Sequence, residues 1–124
     1  MHVPVLKQGS NLIASVQSAL TDEDLIQLRD DLAQMVGRHH SRGIVIDVTA
    51  LDVMDSFAAR TLRSIAATIR LRGATTVIVG IQPEVAFAMV QLGLSLVGVL
   101  TALDLEEGLA LLSSQLKEGS ARGR

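Results

Sequence analysis

IVIDVTALDVMDSF, residues 44–57, is the stretch of sequence that decides the fold. Its first five residues are almost all apolar, which indicates a strand covered on both faces by other parts of the chain. A short acidic loop follows, and Ser56 then stands at the start of a helical pattern. A serine exposed at a helix start and flanked by aspartates suits a phosphorylation switch better than a catalytic centre.

The sequence on either side predicts a β-hairpin followed by alternating helices and strands. The strands are expected at residues 3–8, 11–17, 44–48, 75–79 and 96–100. The helices are expected to begin at Thr21, Ser56, Pro83 and Asp104, and the first of them to end at Gly37. The predicted fold class is therefore α/β, with a mixed β-sheet against which helices pack. We expect one domain over residues 1–117 and a flexible C-terminal tail over residues 118–124.

The loops at residues 47–56 and 80–83 should lie side by side. Each follows a predicted strand, and sites in open α/β sheets lie beyond the carboxyl ends of the strands. The second loop reads Gly-Ile-Gln-Pro and lacks the glycine pattern of a phosphate-binding loop. Gln82 and Pro83 are therefore candidates for the rim of an interface around Ser56.

Composition excludes several classes of function. The chain has 124 residues, 11 basic and 13 acidic side chains, a net charge of −2 and no cysteine. The absence of cysteine removes disulfides, thiolate catalysis and thiolate metal ligands. Scattered charge, with two phenylalanines as the sole aromatic residues, argues against nucleic-acid binding. The sequence contains no signal-peptide pattern and no membrane span, so we expect a cytoplasmic protein that does not enter a membrane.

Ser56 has two interpretations. A serine at a helix start most often caps the helix. Here Asp55 can act as the N-cap, which would leave the Ser56 hydroxyl free at the first helical position. No Glu or Gln follows three residues later to form a capping box. Both observations favour Ser56 as a phosphate acceptor.

Metal binding and catalysis are weaker interpretations of the same loop. Its aspartates could form a metal site or a phospho-aspartate receiver, but the two lysines of the chain, Lys7 and Lys117, lie near the termini. The adjacent His39 and His40 have no further ligand nearby in the sequence. No base is placed to activate Ser56, and the Gly-x-Ser-x-Gly motif is absent. We therefore expect no metal, no cofactor and no enzymatic activity.

Arginines follow one stripe of the helix that begins at Ser56, at positions 60, 63 and 70. This stripe is either a solvated face or a surface on which a partner docks beside the serine. The candidate partner-binding residues are accordingly Asp52, Asp55, Phe57, Arg60, Arg63, Gln82 and Pro83.

Several segments together resemble a known family, the STAS domains, and more narrowly the single-domain RsbS-type proteins of the bacterial stressosome. The resemblance covers nearly the whole chain. An Asp-Ser pair before a helix is typical of STAS regulators in general, and the Gly-Ile-Gln-Pro turn points to the stressosome branch. The matching segments are Val45-Ile46-Asp47-Val48-Thr49, Asp55-Ser56-Phe57, Gly80-Ile81-Gln82-Pro83, Leu92-Gly93-Leu94 and residues 101–109.

The resemblance implies a STAS fold and a non-enzymatic scaffold that associates with itself and with RsbR-type paralogues in a large complex. Such a scaffold holds an RsbT-type serine kinase and releases it on phosphorylation, and an RsbX-type phosphatase resets the site. The family's phosphate acceptor falls on Ser56. Two alternatives remain open: a direct anti-sigma-factor antagonist, or a STAS accessory subunit of a lipid or anion transporter.

Overall fold

The computed structural model describes residues 3–17, 20–96 and 98–122, with side chains up to residue 115. Its strands are β1 (Val5–Gln8), β2 (Asn11–Ser15), β3 (Gly43–Asp47), β4 (Thr75–Val79) and β5 (Leu100–Ala102). Its helices are α1 (Asp22–His39), α2 (Ser56–Leu71), α3 (Pro83–Gln91) and α4 (Leu105–Arg122). This order confirms the predicted α/β class, a hairpin followed by alternating helices and strands.

The strands form one mixed sheet in the order β1-β2-β3-β4-β5. β1 and β2 pair antiparallel, whereas β2, β3, β4 and β5 run parallel to one another. In the central strand β3, Val45 pairs with Ile13 on one side and with Val77 on the other. Because β2 to β5 are parallel, the loops that follow their carboxyl ends lie along one edge of the sheet.

Helices cover both faces of the sheet. Alternate residues of each strand point to opposite faces, so each face contributes side chains to a separate core. Leu12, Ile44 and Ile78 belong to the larger core, which lies beneath α1 and α2. Val45 belongs to the smaller core on the other face, which includes Leu112 of α4. Ile44 and Val45 are both fully buried. The continuous apolar run of β3 therefore has the cause expected from the sequence, a strand packed on both faces.

The predicted end of α1 at Gly37 is wrong. The helix continues to His39, and the left-handed residue that ends it is His40, with φ of 51°. The His40 N–H donates to the Val36 carbonyl, which satisfies one of the last free carbonyls of the helix. Gly37 instead lies on the helix surface, where an added Cβ would collide with the side chain of Arg72.

The predicted strand at residues 96–100 is also wrong, because β5 begins only at Leu100. The preceding segment turns: the Val99 N–H donates to the Leu96 carbonyl at 3.0 Å, and Gly98 has φ of 85°. Ladder pairing with β4 then starts at Leu100. An apolar run alone could not distinguish this turn from the strand that follows it.

The start of α4 agrees with the sequence, whereas its end does not. Asp104 Oδ1 accepts the Glu107 N–H at 2.9 Å, as expected of a capping aspartate. The helix then runs to Arg122. Residues 118–122, which we expected to belong to a tail, are therefore helical.

A reciprocal capping box begins α1, at the residue where the sequence predicts the start of the helix. The Asp24 N–H donates to Thr21 Oγ1 at 3.1 Å, and the Thr21 N–H donates to Asp24 Oδ2 at 3.0 Å. We expect Thr21→Ala to lower the free energy of unfolding by about 1 kcal/mol, measured by urea denaturation. Ser64→Ala, which removes an exposed hydroxyl within α2, is the control. An equal loss in the two variants would contradict the cap.

The same box makes stability depend on pH. The hydrogen bond from the Thr21 N–H lowers the pKa of Asp24 below its ordinary value of 3.8. Folding therefore favours the ionised carboxylate, so its contribution is complete above that value and is lost as pH falls through the lowered pKa. We expect Asp24→Asn to flatten the acid limb of a plot of unfolding free energy against pH. An unchanged acid limb would contradict this.

Candidate functional site

Ser56 is the first residue of α2, and it is exposed. The N-cap is Asp55, whose Oδ1 accepts the Ala58 N–H at 2.8 Å. This confirms the expected division of roles, in which the aspartate caps the helix and the serine does not. Among the described residues, no hydrogen-bond partner holds the Ser56 hydroxyl. The hydroxyl is therefore accessible, and it stands at the positive end of a 16-residue helix.

The loop between β3 and α2 is held by one backbone hydrogen bond to β4 and by two buried side chains. The Val48 N–H donates to the Val79 carbonyl at 3.0 Å, which continues the sheet for one residue beyond β3. Leu51 and Met54 are 8% and 4% exposed and belong to the larger core. Asp52 is exposed between them. The buried side chains hold the loop in place, so the acidic side chains and Ser56 face outward from a fixed platform.

Asp47 has a structural role at the base of this loop. Its Oδ1 accepts the Thr49 N–H at 2.9 Å and the Thr49 hydroxyl at 2.6 Å. Gly80, at the end of β4, has φ of 81° and lies so close that an added Cβ would collide with Thr49 Oγ1. This close approach draws the loops after β3 and β4 together. Within the described residues, no group of three or more His, Cys, Asp or Glu side chains is arranged to hold a metal ion.

Gln82 joins the two loops, and this confirms the prediction that they are neighbours. Its Nε2 donates to the Thr49 carbonyl at 2.7 Å and to Asp52 Oδ1 at 3.3 Å. Pro83 follows as the first residue of α3 and is exposed. Asp52, Gln82 and Pro83 thus form one rim that joins the loop before Ser56 to the start of α3.

We expect Gln82→Glu to loosen this rim. The variant replaces the donor with a carboxylate, which loses the bond to the Thr49 carbonyl and places like charges side by side at Asp52. The expected cost is about 1 kcal/mol of unfolding free energy. Amide hydrogen exchange of residues 49–55 should rise with little change in the central strands. Gln34→Glu, at an exposed position of α1, is the control, and equal exchange in both variants would contradict the tether.

Two of the remaining candidate partner-binding residues lie on the α1 side of α2. Phe57 and Arg60 border a groove of about 290 Å³ between the two helices, together with Ile26 of α1. Arg63 is half-buried and does not line this groove. Arg70 lies near the other end of α2, where it lines a separate cavity beside β4. The arginines therefore do not border one common groove.

Two features of the surface were missed by the sequence analysis. The first is a cavity of about 310 Å³ beside Asp55, lined by the segment after β2, by α1, by the loop after β3 and by α2. The second is the outer face of α3, where Phe87 and Val90 are 71% and 79% exposed. Only the second had a sequence signal, because these residues follow Pro83 by four and seven positions, the spacing of one helix face.

The fold belongs to a class of small α/β domains in which one edge strand is antiparallel and the other strands are parallel. The sequence model of one family in this class, the STAS domain, matches residues 2–108. The chain belongs to the STAS domain family. None of the helices in the described ranges has the length and apolar character needed to cross a membrane.

Three known proteins are similar to this chain over most of its length. The RsbT co-antagonist protein RsbRA of Bacillus subtilis (strain 168) is 32% identical over 110 residues. That match covers 88% of this chain and 40% of RsbRA, so the chain spans well under half of this relative. A serine-to-glutamate variant of Moorella thermoacetica RsbS is 35% identical with a TM-score of 0.79, covering 93% of this chain and 97% of RsbS. A chain from a structure of the stressosome, described as a signal integration and transduction hub, is also 35% identical, with a TM-score of 0.77 and coverage of 91% and 98%.

Proposed function

We propose that this protein is a non-enzymatic STAS scaffold of a cytoplasmic stressosome. In this proposal it holds an RsbT-type serine kinase and releases it when Ser56 is phosphorylated. RsbR-type paralogues are co-subunits, and an RsbX-type phosphatase resets the site. The released kinase then acts on a stress-response pathway, through a sigma factor or another partner switch. The similarity to RsbS over nearly the full length of both chains supports this class of function.

The observation that carries the proposal is the free hydroxyl of Ser56 beside a capping aspartate. A phosphate would add about −1.5 to −2 charges. The start of α2 would favour it by roughly 0.3–1 kcal/mol, and the nearby carboxylates of Asp52 and Asp55 would oppose it by a comparable, salt-screened amount. Since these effects nearly cancel, the modification should leave the fold intact and act on the binding of a partner.

The position of the histidines supports a substrate role for Ser56. His39 and His40 precede β3, whereas Ser56 follows it, so they lie at opposite edges of the sheet. The five residues of β3 alone span about 13 Å at roughly 3.3 Å per residue. Neither histidine can therefore act as a base for Ser56, which needs a base within hydrogen-bond distance to be a nucleophile.

Phosphosite mapping tests the assignment. The purified protein would be incubated with its RsbT-type kinase and ATP, and then digested and analysed by mass spectrometry. We expect one phosphate, on Ser56. Ser64→Ala, which removes another exposed serine on the same helix, should be phosphorylated normally, and Ser56→Ala should not. Phosphate elsewhere with none on Ser56 would overturn the assignment.

The outer face of α3 provides a surface on which another subunit could pack. Phe87 and Val90 share this face and are both more than two-thirds exposed, and exposed apolar patches mark protein interfaces. Size-exclusion chromatography with the RsbR-type paralogue separates a scaffold from a direct antagonist, because the scaffold enters a very large particle and the antagonist stays small.

A further inference from the structure

A cavity lies directly beside the start of α2 and shares Asp52 with the Gln82 rim. Its volume is about 310 Å³. Residues of the larger core form its walls, including Leu25 of α1, Leu51 of the loop and Leu62 of α2. The cavity lies beyond the carboxyl ends of β2 and β3, where open α/β sheets bind their ligands. At roughly 30 Å³ per atom, the volume of a water molecule in the liquid, it holds about ten non-hydrogen atoms.

The charged residues among those that line the cavity are all acidic. They are Asp22, Asp52 and Asp55, and no described lysine, arginine or histidine joins them. Asp55 uses one carboxylate oxygen to cap α2, and Asp52 accepts a bond from Gln82. Among the described residues, the second oxygen of each of these two carboxylates accepts no hydrogen bond and remains available to a ligand. The acidic side chains of the cavity repel phosphates and carboxylates, so the cavity favours a cationic ligand.

Two observations narrow the kind of cation. The described His, Cys, Asp and Glu side chains form no group of three or more that could hold a metal ion, which needs several oxygen ligands at 2.0–2.6 Å. The walls are aliphatic and have no aromatic face on which a quaternary ammonium group could rest. A short aliphatic chain that ends in a primary ammonium group matches both the apolar walls and the acidic side chains. Its alkyl chain packs against the walls, and its N–H groups donate to the carboxylates.

We infer that this cavity binds a small aliphatic primary amine, with the alkyl chain against Leu25, Leu51 and Leu62 and the ammonium group at Asp22 and Asp52. This site goes beyond the proposed function and does not depend on phosphorylation of Ser56. Ligands of this size bind weakly, with dissociation constants on the order of millimolar. A bound amine would lie next to Asp55, one residue from Ser56.

NMR titration of the full chain with n-pentylammonium tests the inference. We expect saturable shifts of the backbone amide signals of residues 51–58 and 22–25. Ammonium chloride and sodium pentanoate, at equal concentration and ionic strength, should produce none, because the first lacks the chain and the second has the wrong charge. Absence of saturation with pentylammonium, or equal shifts with pentanoate, would overturn the inference.

The carboxylates are exposed, so variants that replace them with amides should still fold. The double variant Asp22→Asn with Asp52→Asn should weaken pentylammonium binding by about two- to tenfold, the range of exposed ion pairs. Glu106→Gln, which removes an exposed carboxylate on α4, should leave binding unchanged. Ala58→Leu should abolish binding by filling the cavity, and its unfolding temperature will show whether it folds. Equal binding by the double variant and Glu106→Gln would overturn the inference.

Discussion

Ser56→Ala is expected to keep the kinase bound in the presence of ATP, whereas the unmodified protein is expected to release it. The alanine cannot accept phosphate, and Asp55 still caps α2, so the fold and the docking surface should be unchanged. Ser56→Asp should release part of the kinase without ATP, because it adds one charge where phosphate adds about −1.5 to −2. The fraction of kinase that co-elutes with the scaffold on a sizing column measures both effects.

The control pair is Ser113→Ala and Ser113→Asp, at an exposed position of α4, which packs on the other face of the sheet from α2. Both should behave like the unmodified protein. Release of the kinase from Ser56→Ala on addition of ATP would show that the switch lies elsewhere. Release from Ser113→Asp as large as that from Ser56→Asp would show a general charge effect.

Gly80→Ala is expected to destabilise the fold by about 2–5 kcal/mol. A residue with a side chain costs about 1–2 kcal/mol in the left-handed region that Gly80 occupies, at φ of 81°. The added Cβ would also collide with Thr49 Oγ1 and disturb its hydrogen bond to Asp47, and overpacking of this kind costs about 1–3 kcal/mol. This loss is a large part of the total stability of a small domain.

Gly73→Ala separates the two causes. Gly73 also has a positive φ, of 91°, but an added Cβ there meets nothing within 4 Å. It should therefore lose only about 1–2 kcal/mol, the backbone cost alone. Urea denaturation of both variants gives the comparison. Equal losses would show that the contact between Gly80 and Thr49 does not hold the two loops together.

Elements with strong local signals could be predicted from the sequence. The start of α2 and the bounds of β4 agree with the prediction, because a long amphipathic pattern and a compact β-branched run each follow clear turn residues. The end of α1 could not be predicted, because both Gly37 and His40 could adopt the left-handed conformation that ends a helix. Which of them does so depends on where the chain turns toward β3. The bounds of β5 depend on pairing with β4, which is distant in sequence.

In the candidate site too, local features could be predicted from the sequence and contacts between distant residues could not. The capping role of Asp55 could be predicted, because it depends on neighbours within three residues. The contact of Gly80 with Thr49 and the bond from Gln82 join residues about 30 positions apart. The acid-rimmed cavity collects side chains from four segments of the chain. The sequence could place the loops together but could not predict which atoms meet.

The central claim is that phosphate on Ser56 weakens the hold of this protein on its kinase. Calorimetric titration of the kinase with the unmodified protein and with protein fully phosphorylated on Ser56 measures this directly. We predict an affinity at least tenfold lower for the phosphorylated form, which corresponds to about 1.4 kcal/mol. Equal affinity of the two forms, with both still folded, would contradict the account.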